Sequence, residues 1–183
     1  VKFRMYQDPK LDASLDTTNQ PSATSELWRE TSAIGCLQVQ NDWIQCGPWG
    51  NPKEKGMGIG WTFSQSAAAE YGLWVSTSGT RFVNELANRK VRADAIMVEQ
   101  TNGFRAVSIC TKANTKAFED ARPGMLAKLL EQGIVKEYKS LADIAADYKM
   151  PADVLAKTVE DFNKAVKAKN DPEFGRYINN EQV

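Results

Sequence analysis

Between the apolar run Gly72-Leu73-Trp74-Val75 and a helical stretch that begins near Asn88, the chain sets Arg81, Asn84, Glu85 and Arg89 within nine positions. No single helix or strand accommodates that pattern. Residues 76–79 read as a turn, with Gly79 free to take a positive φ. The run before the turn reads as a buried strand. After it, Val91, Ala95, Ile96 and Val98 fall near the 3.6-residue spacing of a helix. Arg89 then lies at a helix start, where the macrodipole is already positive. A cation there indicates either a functional task or an ion pair with Glu85.

Histidine is absent from the 183 residues. That removes Ser-His-Asp and Cys-His catalysis and most transition-metal sites, and no metal site is expected. Acid–base work falls to Arg, Lys, Tyr, Cys, Asp or Glu. The 23 basic and 23 acidic residues cancel, so no basic field exists to hold nucleic acid or an anionic membrane. No apolar run approaches the roughly 20 residues of a membrane span. Cys36, Cys46 and Cys110 are odd in number and lack a C-x-x-C spacing. They argue against a disulfide framework or structural zinc, and read as buried free thiols. The length suits one medium domain, or one with an appendage.

The rest of the chain reads as mixed elements. Residues 1–24 carry loop signals. Ser25 is a candidate cap for a helix over 26–35, and 36–39 and 43–46 read as short strands. Residues 47–60 hold five Gly and two Pro, a loop. Its Gly56-Met57-Gly58-Ile59-Gly60 fails the G-x-G-x-x-G spacing of a nucleotide loop. Further on, 104–110 reads as a strand, 114–120 as a short helix, and 124–132 as a better helix ended by Gly133. A strand over 134–138 follows. Ser140 caps a helix to 148. Pro151 opens a last helix to about 169, with Val154, Leu155, Thr158, Val159, Phe162, Ala165 and Val166 as its apolar face. Residues 171–183 read as an extended tail. Strands and helices without regular βαβα alternation favour an α+β fold.

These motifs, in this order, resemble the fumarate reductase / flavocytochrome c flavoprotein family. The resemblance is carried by Gly79-x-Arg81-Phe82-Val83-Asn84-Glu85 with Arg89 beyond it, by Trp43-Ile44-Gln45 before Pro48, and by the late helical run from Ser140 to Asn163. Tyr6, Asp8-Pro9 and the segment 18–24 resemble the stretch that leads from that family's flavin domain into its cap. The resemblance implies the capping (clamp) domain of an FAD-dependent reductase of unsaturated acids, with a small mixed sheet and several helices. Its implied boundaries are 1–42 for the joining segment, 43–172 for the capping domain and 173–183 for a tail returning toward the FAD-binding domain.

The resemblance further implies that flavin N5 gives a hydride to one alkene carbon and that Arg89 donates the proton to the other. It gives Ser64, Gln65 and Gly47 as substrate-binding positions and Arg81, Asn84 and Glu85 as supporting ones. FAD would be held mainly outside these residues, by an FAD-binding domain of the same polypeptide. A haem in the full-length protein, a cytochrome electron donor and an extracytoplasmic location are also compatible with the family. The chain departs from the family pattern in several places, and the family's Gly-Ala-Thr-Gly stretch is Ser22-Ala23-Thr24-Ser25 here. Gly47 stands where a substrate-binding histidine is expected, Gln65 where a glutamate is, and Ala68 where an arginine is. These departures point away from fumarate itself, toward another small organic acid. The alternative is a non-catalytic α+β binding module that keeps the cap fold.

Overall fold

The computed structural model describes residues 22–40, 44–47 and 60–178. The segment through residue 21, Trp43, the loop at 48–59 with Trp49 and most of its glycine run, and residues 179–183 lie outside the described residues.

Two short strands organise the fold. Strand β1 (Leu73–Ser76) pairs antiparallel with β2 (Ala106–Ile109), in the register Leu73↔Ile109 to Ser76↔Ala106. Every residue of β1 is buried, because helices cover both of its faces. Alternation sends Leu73 and Val75 to one side and Trp74 to the other. Leu73 and Val75 pack with Ala145, Met150, Leu155, Phe162 and Val166. Trp74 packs with Ala69, Val83 and Ile96. A third cluster of Phe63, Ala67, Phe118 and Leu129 includes an edge-to-face pair, Phe63 and Phe118, with ring centroids 5.2 Å apart. Each fully buried Leu, Val or Phe contributes about 1.5–3 kcal/mol.

The helices follow in chain order. α1 is Glu26–Ala33. α2 (Gly60–Phe63) runs directly into a π-helical stretch, Ser64–Ala69. α3 is Arg89–Thr101, and Asn88 caps it by accepting a hydrogen bond from Val91 N. A 3₁₀ turn at Ala113–Thr115 leads into α4 (Lys116–Ala121), followed by α5 (Met125–Glu131). α6 (Leu141–Tyr148) starts as the sequence predicts, with Ser140 Oγ accepting from Asp143 N. α7 (Ala152–Ala168) buries Leu155, Phe162 and Val166 from the predicted face. Its charged side carries exposed pairs such as Lys157–Asp161 at 2.5 Å. None of the described helices is long and apolar enough to cross a membrane.

Gly79 fulfils its prediction, with φ 87°, and a Cβ there would sit 3.1 Å from Leu155 N. Gly72 is more tightly confined, since a Cβ would fall 2.0 Å from the carbonyl oxygen of Ile109.

Several sequence expectations fail for a common reason. Residues 36–40, 44–46 and 134–138 form no strand. Leu37 is 87% exposed and finds no ladder partner among the described residues. Ile134 N and Val135 N instead bond back to Leu129 O, wrapping the chain around the end of α5. Ser25 sits at the start of α1 but at φ 63°, and its side chain makes no cap bond. α1 buries none of its residues. Cys36 is exposed, not buried, while Cys46 and Cys110 are half-buried. The stretch 171–178 is not a free extended tail. Asp171, Arg176 and Ile178 are buried, and residues 172–174 turn over the Asp171 side chain.

Candidate active site

The crowded segment 81–89 folds around one carboxylate. Glu85 is fully buried. Its Oε1 accepts from Trp74 N at 3.1 Å and from Arg81 Nε at 2.8 Å. Its Oε2 accepts from Arg81 Nη2 at 2.7 Å and from Arg176 Nη1 at 2.9 Å. Arg81 Nη2 also meets Asp171 Oδ2 at 2.9 Å. Arg81, Arg176, Glu85 and Asp171 thus form a neutral buried quartet, and both guanidinium groups lie over the Phe162 ring. Complete pairing is what makes such burial tolerable. Burial disfavours the Arg81 charge, but Glu85 and Asp171 outweigh it and hold the guanidinium above its ordinary range. At Arg176 burial wins and shifts the group down. Both remain cations at neutral pH.

Arg89 is not paired with Glu85, which corrects the simpler reading of its sequence position. It is exposed at the first residue of α3, with its guanidinium carbon 5.5 Å from the centre of the Trp61 ring. No carboxylate forms an ion pair with it among the described residues. Asn84 is a turn residue: its Oδ1 accepts from Leu86 N at 2.9 Å. Its Nδ2 also donates to Phe174 O at 3.4 Å.

Ser64 and Gln65 begin no strand. They lie in the π-helical stretch opposite α3, a conformation frequent at functional sites. Ser64 is buried and donates to Ser108 Oγ at 3.0 Å. Together with Trp61 it lines a cleft of about 1030 Å³ along β2. Gln65 Oε1 accepts from Arg92 Nη1 at 2.6 Å. Gly47 is exposed, and among the described residues no hydrogen bond joins it to Ser64, Gln65 or Arg89. The structure therefore brings Trp61, Gln65, Arg89 and Arg92 together.

Sequence reasoning missed two residues. Arg92 is 6% exposed and bonds Gln65 and, at 3.1 Å, the carbonyl oxygen of Glu85. Its spacing of three from Arg89 on a helix was the available signal. Burial, and then the charge of Arg89, lower its proton affinity. Arg176 gave no local signal, because its partners lie about a hundred residues earlier. Burial pushes the Cys110 thiol up to about 11, which keeps it protonated at neutral pH.

The mixed unit of helices and a two-stranded sheet carries two arginines three residues apart on α3, and neither is paired with a carboxylate among the described residues. The chain belongs to the family described as FAD binding domain, whose pattern it matches over residues 10–182. It is 32% identical over 96% of its length to the acrylate reductase flavoprotein subunit of Shewanella woodyi, covering 34% of that protein. To the NADH:acrylate oxidoreductase of Vibrio harveyi it is 24% identical over 94% of its length, covering 16% of that protein. Its fold superposes with a TM-score of 0.66 on the open conformation of a flavocytochrome c3 fumarate reductase. That match is at 23% identity and covers 96% of this chain and 29% of the other. The chain thus spans about a third or less of the length of these relatives.

The family implies FAD. Among the described residues the two strands are antiparallel, and no glycine-rich turn joins a strand to a helix. These residues offer the dinucleotide pyrophosphate no cradle.

Proposed function

We propose that this chain forms the substrate-capping part of an FAD-dependent reductase that saturates the C=C bond of a small unsaturated carboxylic acid. The carrying observation is the cationic face of α3, where Arg89 lies over Trp61 and Arg92 stands one turn behind it. A carboxylate brought to this face meets positive charge, helix N-terminal amides and an aromatic wall.

Reduction of such a bond takes a hydride, which flavin chemistry supplies, and a proton, for which Arg89 is the donor. A guanidinium is a weak acid in water. The carbanion-like carbon it meets is a far stronger base, and fixed geometry favours the transfer. The guanidinium then recovers its proton from solvent, to which it is open. Its positive charge also stabilises the developing enolate.

The preferred acid is one other than fumarate. Gly47 offers no side chain to a second carboxylate, and the relative at 32% identity is named for acrylate. A short monocarboxylate with a conjugated double bond fits one cationic face.

The test uses the full-length protein. It should purify with flavin, and its reduced form should be reoxidised anaerobically by acrylate faster than by fumarate. Arg89→Lys should lower turnover by about 10²–10⁴-fold with flavin content unchanged. Absence of flavin, or equal turnover by native and Arg89→Lys protein, would overturn this reading and favour a binding module that keeps only the fold.

A further inference from the structure

Arg92 is buried, yet its charge is matched by no carboxylate among the described residues, and its Nε has no hydrogen-bond partner. A guanidinium carries five N–H donors and no acceptor. Its face lies over the Trp74 ring, 5.3 Å from the centroid, and its in-plane N–H groups call for oxygen acceptors. Gln65 meets that demand in one orientation of its amide, with Oε1 toward Arg92 Nη1 at 2.6 Å. The amide NH₂ is then turned the other way. Gln65 is half-buried, and no acceptor among the described residues takes those hydrogens.

The placement repeats along two facing helices. Trp61 and Gln65 are four residues apart, and Arg89 and Arg92 are three apart on α3. Each pair shares one helix face. Arg89 meets Trp61 on one rung, and Arg92 meets Gln65 on the next. Glu85 O, the second acceptor of Arg92, belongs to the residue that anchors the buried quartet. The guanidinium is therefore held on its own side of the pair.

We infer that Arg92 is a positioning residue: it fixes the Gln65 amide as a hydrogen-bond donor to the carboxylate received at the Arg89 face. The inference rests on the reductase reading above and assigns the group that orients the acid. A glutamate at position 65 would pair with Arg92, cancel its charge and turn only lone pairs toward the substrate. Glutamine leaves the positive charge in place and adds a donor. The same residue pair thus sets both the field and the hydrogen-bond polarity of the site.

The experiment takes full-length flavin-bound protein with acrylate as the probe. Dissociation constants come from the perturbation of the oxidised flavin spectrum, and KM and kcat from anaerobic turnover. Gln65→Glu should weaken acrylate binding by about tenfold or more, through loss of the donor and of the uncompensated charge. KM should rise with it and kcat should change by less than about threefold. Arg92→Met should weaken binding about three- to tenfold, and Arg92→Lys should restore most of it.

In a Gln65→Leu background, which has no amide to orient, Arg92→Met should change the dissociation constant by less than about twofold. Unchanged binding in Gln65→Glu, or equal effects of Arg92→Met in both backgrounds, would overturn the inference. Where Arg92→Met fails to retain flavin, Gln65→Glu and Arg92→Lys decide the matter. Arg92→Lys should bind within about threefold of native while Gln65→Glu does not, and equal affinities would overturn it. Native protein that carries flavin but neither binds nor reduces any alkenoic acid would sink the reductase reading and this inference together. Native binding with unaltered Gln65→Glu would sink only the second.

Discussion

Arg176 Nη1 donates to Glu85 Oε2 at 2.9 Å, and both side chains are shut off from water. The same guanidinium donates to Gly72 O at 2.7 Å and Glu70 O at 2.8 Å. It thereby ties the last described segment to the start of β1 and to the residue that anchors the site.

Arg176→Met should be strongly destabilising. It strands part of the Glu85 charge and takes donors away from two carbonyls. Breaking one side of a buried pair costs about 3–5 kcal/mol. Urea denaturation of the full-length protein measures the loss. Arg176→Lys should recover a minor part of it, since one ammonium cannot reach all three acceptors in a fixed fork.

Acid should weaken the same region through Asp171. Burial alone would raise its proton affinity, but the hydrogen bond from Arg81 and those from the Arg176 and Phe174 amides prevail and hold the carboxyl below its ordinary range. A depressed folded-state value stabilises the fold above the ordinary carboxylate range. That contribution disappears as pH falls through the folded-state value. Denaturation midpoints measured from about pH 7 down to about pH 3 should fall steeply at the acid end. Asp171→Asn should lower the neutral-pH midpoint and flatten that acid slope.

Gly72→Ala should disrupt the sheet. Its Cβ would lie 2.0 Å from Ile109 O and 2.9 Å from Ala68 O. Neither backbone atom can yield without opening β1 from β2 or bending the π-helical stretch. A loss at or beyond the upper end of the about 1–3 kcal/mol typical of overpacking is expected, read as a lowered melting temperature or insoluble protein.

Arg89 separates stability from chemistry. Its side chain is exposed and forms no ion pair among the described residues, so Arg89→Ala should alter unfolding free energy by no more than about 1 kcal/mol. Turnover by the full-length protein should nevertheless collapse. A large stability loss with residual turnover near native would contradict the placement of Arg89 as an active-site group.

Local chemistry made much of this fold legible. The turn at Gly79, the helix start near Asn88, the cap at Ser140, and the apolar stripe from Leu155 to Val166 are written in neighbouring residues. The elements that failed depend on what lies across from them. Residues 36–39 and 134–138 have strand-like composition, but no edge in the described structure receives them. The helical stretch over 60–69 was missed altogether, because Ser64-Gln65 read as part of the loop that follows the glycine run. At the site, Arg89 could be singled out as a cation at a helix start. For Arg92 the sequence offered only its spacing of three from Arg89, because its burial comes from residues distant in sequence, Gln65 and Trp74.

The carboxylate of Glu85 completes its hydrogen bonding with a residue 91 positions later. During synthesis at about 5–20 residues per second, roughly 5–20 s separate the two residues' appearance. Until then Glu85 cannot be sealed in its final setting, and β1 cannot close fully around it. The order of assembly is therefore imposed by one ion pair: helices α3 to α7 are made first, and the turn around Glu85 is completed only when Arg176 arrives. A ribosome stalled before that residue would hold a chain with its secondary structure largely available and the Glu85 carboxylate still unsealed.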